Sequence, residues 1–186
     1  MLGGRVDLPA VTFPAIHHWH ATALVTVLDG TAPTELTAWR CLHERALAGE
    51  AIEQRSWVAA LRPVLHEVYR RSYRYERAYA VARANAEAYA VANGFSDSER
   101  LEFADSYAAM NTDANVASYA AANAIANADL MARAFALADI EAFARSYPYA
   151  RMCAFASASS ADSAPAAMRR FARGFVASVH LWSSVG

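Results

Sequence analysis

Three of the chain's six histidines crowd one stretch, His17-His18-Trp19-His20. Imidazole titrates near neutrality, so it can act as a general base, a general acid or a metal ligand. The spacing His-His-x-His matches no metal-binding pattern. It leaves a choice between a catalytic or substrate-contacting imidazole, taken here at His20, and ordinary histidines on an N-terminal arm. Two other imidazoles have a carboxylate beside them, His43-Glu44 and His66-Glu67. Neighbours in a helix point in different directions, so neither pair is a dyad by itself, although each can meet an acid from another helix. His66 and Glu67 join His20 as the candidate catalytic groups. There is no Glu-x-x-His pair, no His-Glu-x-x-His zinc motif, no glycine-rich dinucleotide fingerprint and no Gly-x-Ser-x-Gly elbow. The expected chemistry therefore uses neither metal nor cofactor.

Binding groups are more conspicuous than catalytic ones. Arg70, Arg71, Arg74 and Arg77 interleave with Tyr69, Tyr73, Tyr75 and Tyr79. Guanidinium clamps carboxylate, phosphate or sulfate, so Arg70 and Arg74 are candidate anion ligands; the plainer alternative is a solvated helix face paired with Glu67 and Glu76. Further on, Asn85-x-x-x-Tyr89-Ala90-x-Ala92-Asn93 recurs as Asn115-x-x-x-Tyr119-Ala120-x-Ala122-Asn123. In the second copy Asn111, Asn115, Tyr119, Asn123 and Asn127 form one i,i+4 stripe walled by alanine. Asparagine is a mediocre helix former, so helix propensity did not place it there. Such amides and phenols zip two helices together, face water, or line a sheltered groove for an uncharged or zwitterionic group. Asn85, Tyr89, Asn115, Tyr119 and Asn123 are the candidate ligand contacts on the last reading.

The elements that must position these groups are helical. Alanine fills 46 of the 186 positions, and lysine none, so all 17 basic side chains are arginine. From Ala78 to Ala92 every even position is alanine. Period two is formally a strand signal, but alanine is the best helix former and a poor strand former. On a helix the remaining residues form two ridges separated by alanine grooves, which predicts a central helix approached closely on two sides. Thr31 and Pro33 open a helix that closes at Gly49, and a second begins near Ala51 and meets Pro63, which either kinks it or opens a new one. From Val64 the pattern runs to Asn93-Gly94. Ser96-Asp97-Ser98-Glu99 is a capping box for a helix to about Met110, and Thr112 or Asp113 caps the next, to about Ala138. Asp139 opens a short helix, Ser157 to Ala164 is a loop, and Ser163 with Pro165 launches the last helix. The expectation is an all-α bundle of about six or seven helices. It comprises a non-helical arm at 1–32, extended or with one short strand, and a single helical domain at 33–186.

The formal net charge of −1 offers no global attraction for nucleic acid or for an anionic membrane, and neither is expected as a partner. A lysine-free chain forms no Schiff base and has no P-loop lysine. Cys41 and Cys153 stand alone as small core thiols, the N-terminus has no leader pattern, and the longest apolar stretches fall short of the roughly 18 residues of a membrane span. The expected location is the cytoplasm. Arginine without lysine, with this much alanine, is what a GC-rich codon supply produces and suggests a high-GC, actinobacterial-type source.

The Tyr-Ala-x-Ala-Asn runs at 89–93 and 119–123, in an all-helical chain without cofactor motifs, resemble the two-protein aziridine-forming (azabicycle-forming) enzyme of azinomycin-type natural-product biosynthesis. The resemblance carries no catalytic residue across. It implies a hetero-oligomer of secondary metabolism in which intramolecular amine attack expels sulfate from a sulfated, amino-acid-derived substrate. That reaction needs a base for the amine and an arginine or amide cradle for the leaving group. The functional expectation is thus a cofactor-independent enzyme or enzyme subunit, of lyase or cyclase type, acting on a small polar or anionic metabolite. It would work as a homo-oligomer or with another helical protein. The alternative is a non-catalytic partner subunit, or a helical protein that binds or sequesters a small ligand.

Overall fold

Residues 11–28, 33–159 and 163–183 are described by the computed structural model, and all regular structure among them is helical. The α-helices are α1 Phe13–Trp19, α2 Pro33–Leu47, α3 Gln54–Ser72, α4 Tyr75–Ala92, α5 Asp97–Leu137, α6 Ile140–Ser146, α7 Tyr149–Ala158 and α8 Ala164–Ser183. Several ends fall where their chemistry demands. The Ser96–Glu99 capping box is formed, Gly94 takes the left-handed conformation (φ 72°) behind α4, and the Asp139 side chain accepts from the Ala142 N–H at 2.9 Å to cap α6.

Four expectations are corrected. Residues 1–10 and 29–32 of the expected arm lie outside the described residues, but 13–28 are helical, α1 running on through a π-helical segment His20–Leu24 and a 3-10 turn Val25–Leu28. Pro14 pre-sets the first turn of α1, and Phe13, Ile16, His20 and Leu24 share one buried helical face. Second, α5 is one helix of 41 residues, about 60 Å long at 1.5 Å per residue. The caps expected at 112–113 do not form. Thr112 is buried in the same i,i+4 row as Ala104 and Ala108, and the Asp113 carboxylate accepts from the Tyr75 hydroxyl of α4 at 2.9 Å. Third, Pro63 opens no new helix but sits inside α3, and the run expected from Val64 to Asn93 breaks at Tyr73, whose ψ of 133° is extended. Fourth, α4 is peripheral. Its buried residues are Ala82, Ala86 and Ala90, all in one row facing α5, so the rest of the helix is left outside.

The result is two regions joined by α5. Its N-terminal half and α4 form an antiparallel hairpin on a seam of alanine. Its C-terminal half enters a body where α3 packs along it over Ala120, Ala124 and Ala128, residues small enough for close helix approach. Around that pair α1, α2, α6, α7 and α8 enclose Trp39, Trp57, Leu61, Leu65, Phe155 and Phe171, all fully buried. Gly174 in α8 is required by such an approach: a Cβ there would lie 2.8 Å from the Cβ of Ala23. Among the described residues no helix is long and apolar enough to cross a membrane.

Candidate functional site

The most concentrated polar chemistry lies in the body, where sequence reading had placed an arm. His17, His20 and His43 are buried together and walled by Trp39, Trp57, Phe135 and Phe143. His17 and His20 come from consecutive turns of the α1 face, and His43 from the inner face of α2. The His20 Nδ1–H donates to the Ile16 carbonyl at 2.7 Å, which leaves Nε2 bare to accept the Tyr147 hydroxyl at 2.5 Å. His17 and His43 share one proton between their Nδ1 atoms at 2.9 Å, and Nε2 of His43 is buried with no partner. The His43 ring stacks on His20 at 4.6 Å, and the His17 ring on Trp57 at 5.7 Å.

The electrostatics follow from burial. Desolvation holds His17 down to about 4; it also takes His20 to about 3, where the backbone bond to Ile16 opposes it and the charge of His17 adds to it. His43 lies well below the ordinary imidazole value for the same reason, reinforced by His20 and His17. Burial pushes the Tyr147 phenol well above its usual range, against the nearby Arg151 guanidinium. At neutral pH the cluster is an uncharged relay of imidazoles ending in a protonated phenol. Its nitrogens meet by ring stacking and pairwise bonds, and among the described residues no three His, Cys, Asp or Glu side chains converge as a metal site. The Tyr147 ring also lines an apolar recess of about 260 Å³ with Trp19, Phe143, Met168 and Phe175.

The other candidate groups lie elsewhere. His66 is exposed on α3. Glu67 is gripped by Arg70, at 2.6 and 2.7 Å, and by Arg71 at 2.7 Å. The Arg70 bond, with that of Arg71, holds the carboxyl at about 2 against the effect of burial. A carboxylate so stabilised is a weak proton acceptor. Glu67 and Arg70 therefore neutralise each other on the α3 surface, and no described contact joins His20 to His66 or Glu67.

Of the readings left open for the amide and phenol stripes, exposure to water holds at four of the five candidate positions, while Asn111, Asn123 and Asn127 are half-buried. Asn85, Tyr89, Asn115 and Tyr119 are exposed, because the alanines between them, not the stripe itself, face the partner helix. The repeat has a local cause as well: the Asn93 amide donates to the Tyr89 carbonyl and the Asn123 amide to the Tyr119 carbonyl, each at 2.8 Å. The same Tyr-x-x-x-Asn spacing makes the same intrahelical bond twice. Asn115 donates instead to the side-chain oxygen of Asn111, at 3.0 Å.

The hairpin nevertheless collects part of the predicted set. A cleft of about 450 Å³ opens between α4 and α5, lined by Tyr73, Arg74, Arg77, Asn85, Asn111 and Asn115 over an alanine floor. A second recess of about 260 Å³ shares Asn85 and is walled by Tyr89, Phe103 and Tyr107. Asn85, Asn115, Arg74 and Tyr89 are thus brought together, while Tyr119, Asn123 and Arg70 fall outside. Neither Arg74 nor Arg77 makes an ion pair among the described residues, unlike Arg70, Arg71, Arg83 and Arg100 nearby. No imidazole or carboxylate lines either recess. The cleft can hold an anionic, hydrogen-bonding ligand, and its walls provide no general base.

His17, His43 and Asn111 stand in patterns that the sequence displays but were not chosen as candidate site residues, and Tyr147 stands in none. The period Phe13, Ile16, His17, His20, Leu24, read as a helix behind Pro14, was the available signal for the buried imidazoles. No protein-family model matches the chain, and neither does any curated protein or solved structure compared with it.

Proposed function

We propose that the chain binds a small polar metabolite carrying an anionic group in the α4–α5 cleft, as a ligand-binding or partner subunit in bacterial secondary metabolism. The carrying observation is the pairing of two guanidiniums that have no carboxylate partner among the described residues, Arg74 and Arg77, with three amides on the opposite and adjoining walls. Guanidinium recognises a carboxylate or sulfate, and the amides satisfy the neutral or zwitterionic remainder. Exposed Val81, Val91 and Met110 on the same hairpin support a protein partner there.

A departing sulfate needs the same guanidinium pair, so the second reading is catalytic: cofactor-independent elimination or cyclisation of a sulfated amino-acid derivative, such as aziridine formation. Because no imidazole or carboxylate lines the cleft, that reading requires the partner subunit to bring the base. The test is calorimetric titration with a sulfated amino acid and with its unsulfated parent. Wild type should prefer the sulfated form, and the Arg74→Gln/Arg77→Gln double variant should lose about tenfold or more, each charge-assisted bond being worth roughly 1.5–3 kcal/mol. Equal binding by wild type and variant would overturn the assignment.

A further inference from the structure

Arg151 stands in the first turn of α7 and is only 5% exposed. One nitrogen donates to the Asn127 side-chain oxygen of α5, and the guanidinium carbon lies 6.0 Å from the centre of the Tyr147 ring. Its Nε and Nη1 are buried and have no hydrogen-bond partner, and none of the ion pairs among the described residues includes it. Every neighbour so identified is neutral. Guanidinium cannot shed its proton as a buried lysine can, so a shielded arginine with idle donors and no counter-charge is an arrangement that folding strongly disfavours. A further donor is at hand. The buried Tyr69 hydroxyl of α3 accepts from the Asn127 amide at 2.7 Å and keeps its own proton to offer.

We propose that Arg151, with Tyr69 and Asn127, forms an internal site for a small oxyanion, a carboxylate or sulfate-type group, wedged between α3, α5 and α7. The Tyr119 ring packs edge-on against Tyr69 at 5.8 Å and is itself partly exposed. This site is separate from the hairpin cleft and does not rest on the ligand assigned there.

The experiment titrates the full chain, in oxyanion-free buffer at constant ionic strength set with sodium chloride, with sulfate, phosphate and acetate in turn. The arginine Nε–H resonances and the melting temperature are followed. One Nε–H resonance should move saturably, and the melting temperature should rise by roughly 5–10 °C at a hundredfold excess over Kd. Arg151→Met should abolish both responses, yet in the oxyanion-free buffer it should melt no lower than wild type, because it removes the uncompensated charge. Tyr69→Phe should weaken the response about tenfold, and Arg74→Gln/Arg77→Gln should leave it intact. Whichever anion binds best identifies the group, a free tetrahedral anion or a carboxylate. The proposal is overturned by the absence of any saturable response in wild type, or by an equal response in Arg151→Met. If Arg151→Met fails to fold, an undiminished response in Tyr69→Phe overturns it on its own.

Discussion

In the body, Trp39, Trp57, Phe135, Phe155 and Phe171 interlock around buried imidazoles; in the hairpin, α4 meets α5 through Ala82, Ala86 and Ala90 against Ala104, Ala108 and Thr112. At about 0.8 kcal/mol per methyl-sized group, the whole seam contributes about 5 kcal/mol, an upper figure. Truncating a single buried tryptophan removes a comparable amount. The hairpin persists because alanine favours the helix without help from packing, and because α5 is anchored in the body for the rest of its length. Its bulky side chains, Val81, Tyr89, Val91 and Met110, point outward. One region is stabilised by tertiary packing and can hide polar atoms. The other is stabilised by local propensity and displays its polar atoms to whatever binds.

The largest effect that separates the two should come from Trp57, which is fully buried and touches His17, His43 and Phe135. Trp57→Ala is expected to remove about 3–5 kcal/mol of stability in a urea melt, with the body losing structure as one unit. A loss under about 1 kcal/mol would mean that the aromatic box is not what holds the body together.

Reading the chain without coordinates recovers the hairpin better than the body, for the same physical reason. Local signals decide local structure. The Ser96 capping box, the glycine at 94, the Asp139 cap and the choice of helix over strand for 78–92 all follow from propensity, and all stand. The misread boundary at 112–113 shows the limit. Thr112 and Asp113 have capping chemistry, but tertiary contact with α4 uses them otherwise. The imidazole cluster was hidden for a related reason. Nothing local says that His43 meets His17, which is 26 positions away, or that Tyr147 meets His20 across 127. The placement of Asn85 and Asn115 along facing helices was legible from their repeated spacing. Their exposure was not, since only the alanine rows between them report which face packs.

A second contrast appears on acidification, because the hairpin holds no histidine while the body buries three. The sign follows from linkage. Folded values of about 4 for His17 and about 3 for His20 lie below the unfolded 6.5, so below pH 6.5 the unfolded chain binds more protons and stability falls with pH. The contribution is fully present above pH 6.5. From His17 alone the loss is on the order of 3 kcal/mol by pH 4. Denaturant melts at half-unit steps should show the decline beginning near pH 6.5, before carboxylates titrate, and His17→Asn should make it shallower without abolishing it, since His20 and His43 still titrate below their ordinary value. Constant stability between pH 6.5 and 4.5 would mean that these imidazoles are hydrated.

The smallest effect should be the most local. Ala86 is the middle of the α4 row and is buried against α5. Ala86→Gly removes one methyl from the seam and adds a flexible residue to a helix interior, together about 1–2 kcal/mol. Because the body does not use that methyl, the change should not spread. Amide exchange should accelerate along α4 and the first turns of α5, while α3 and the second half of α5 keep wild-type protection. The same change should weaken any ligand held by Asn85 and Arg77, since both depend on α4 lying flat on α5. If exchange accelerated equally in α3, hairpin and body would be one cooperative unit. The alanine seam would then be transmitting strain into the core instead of ending at it.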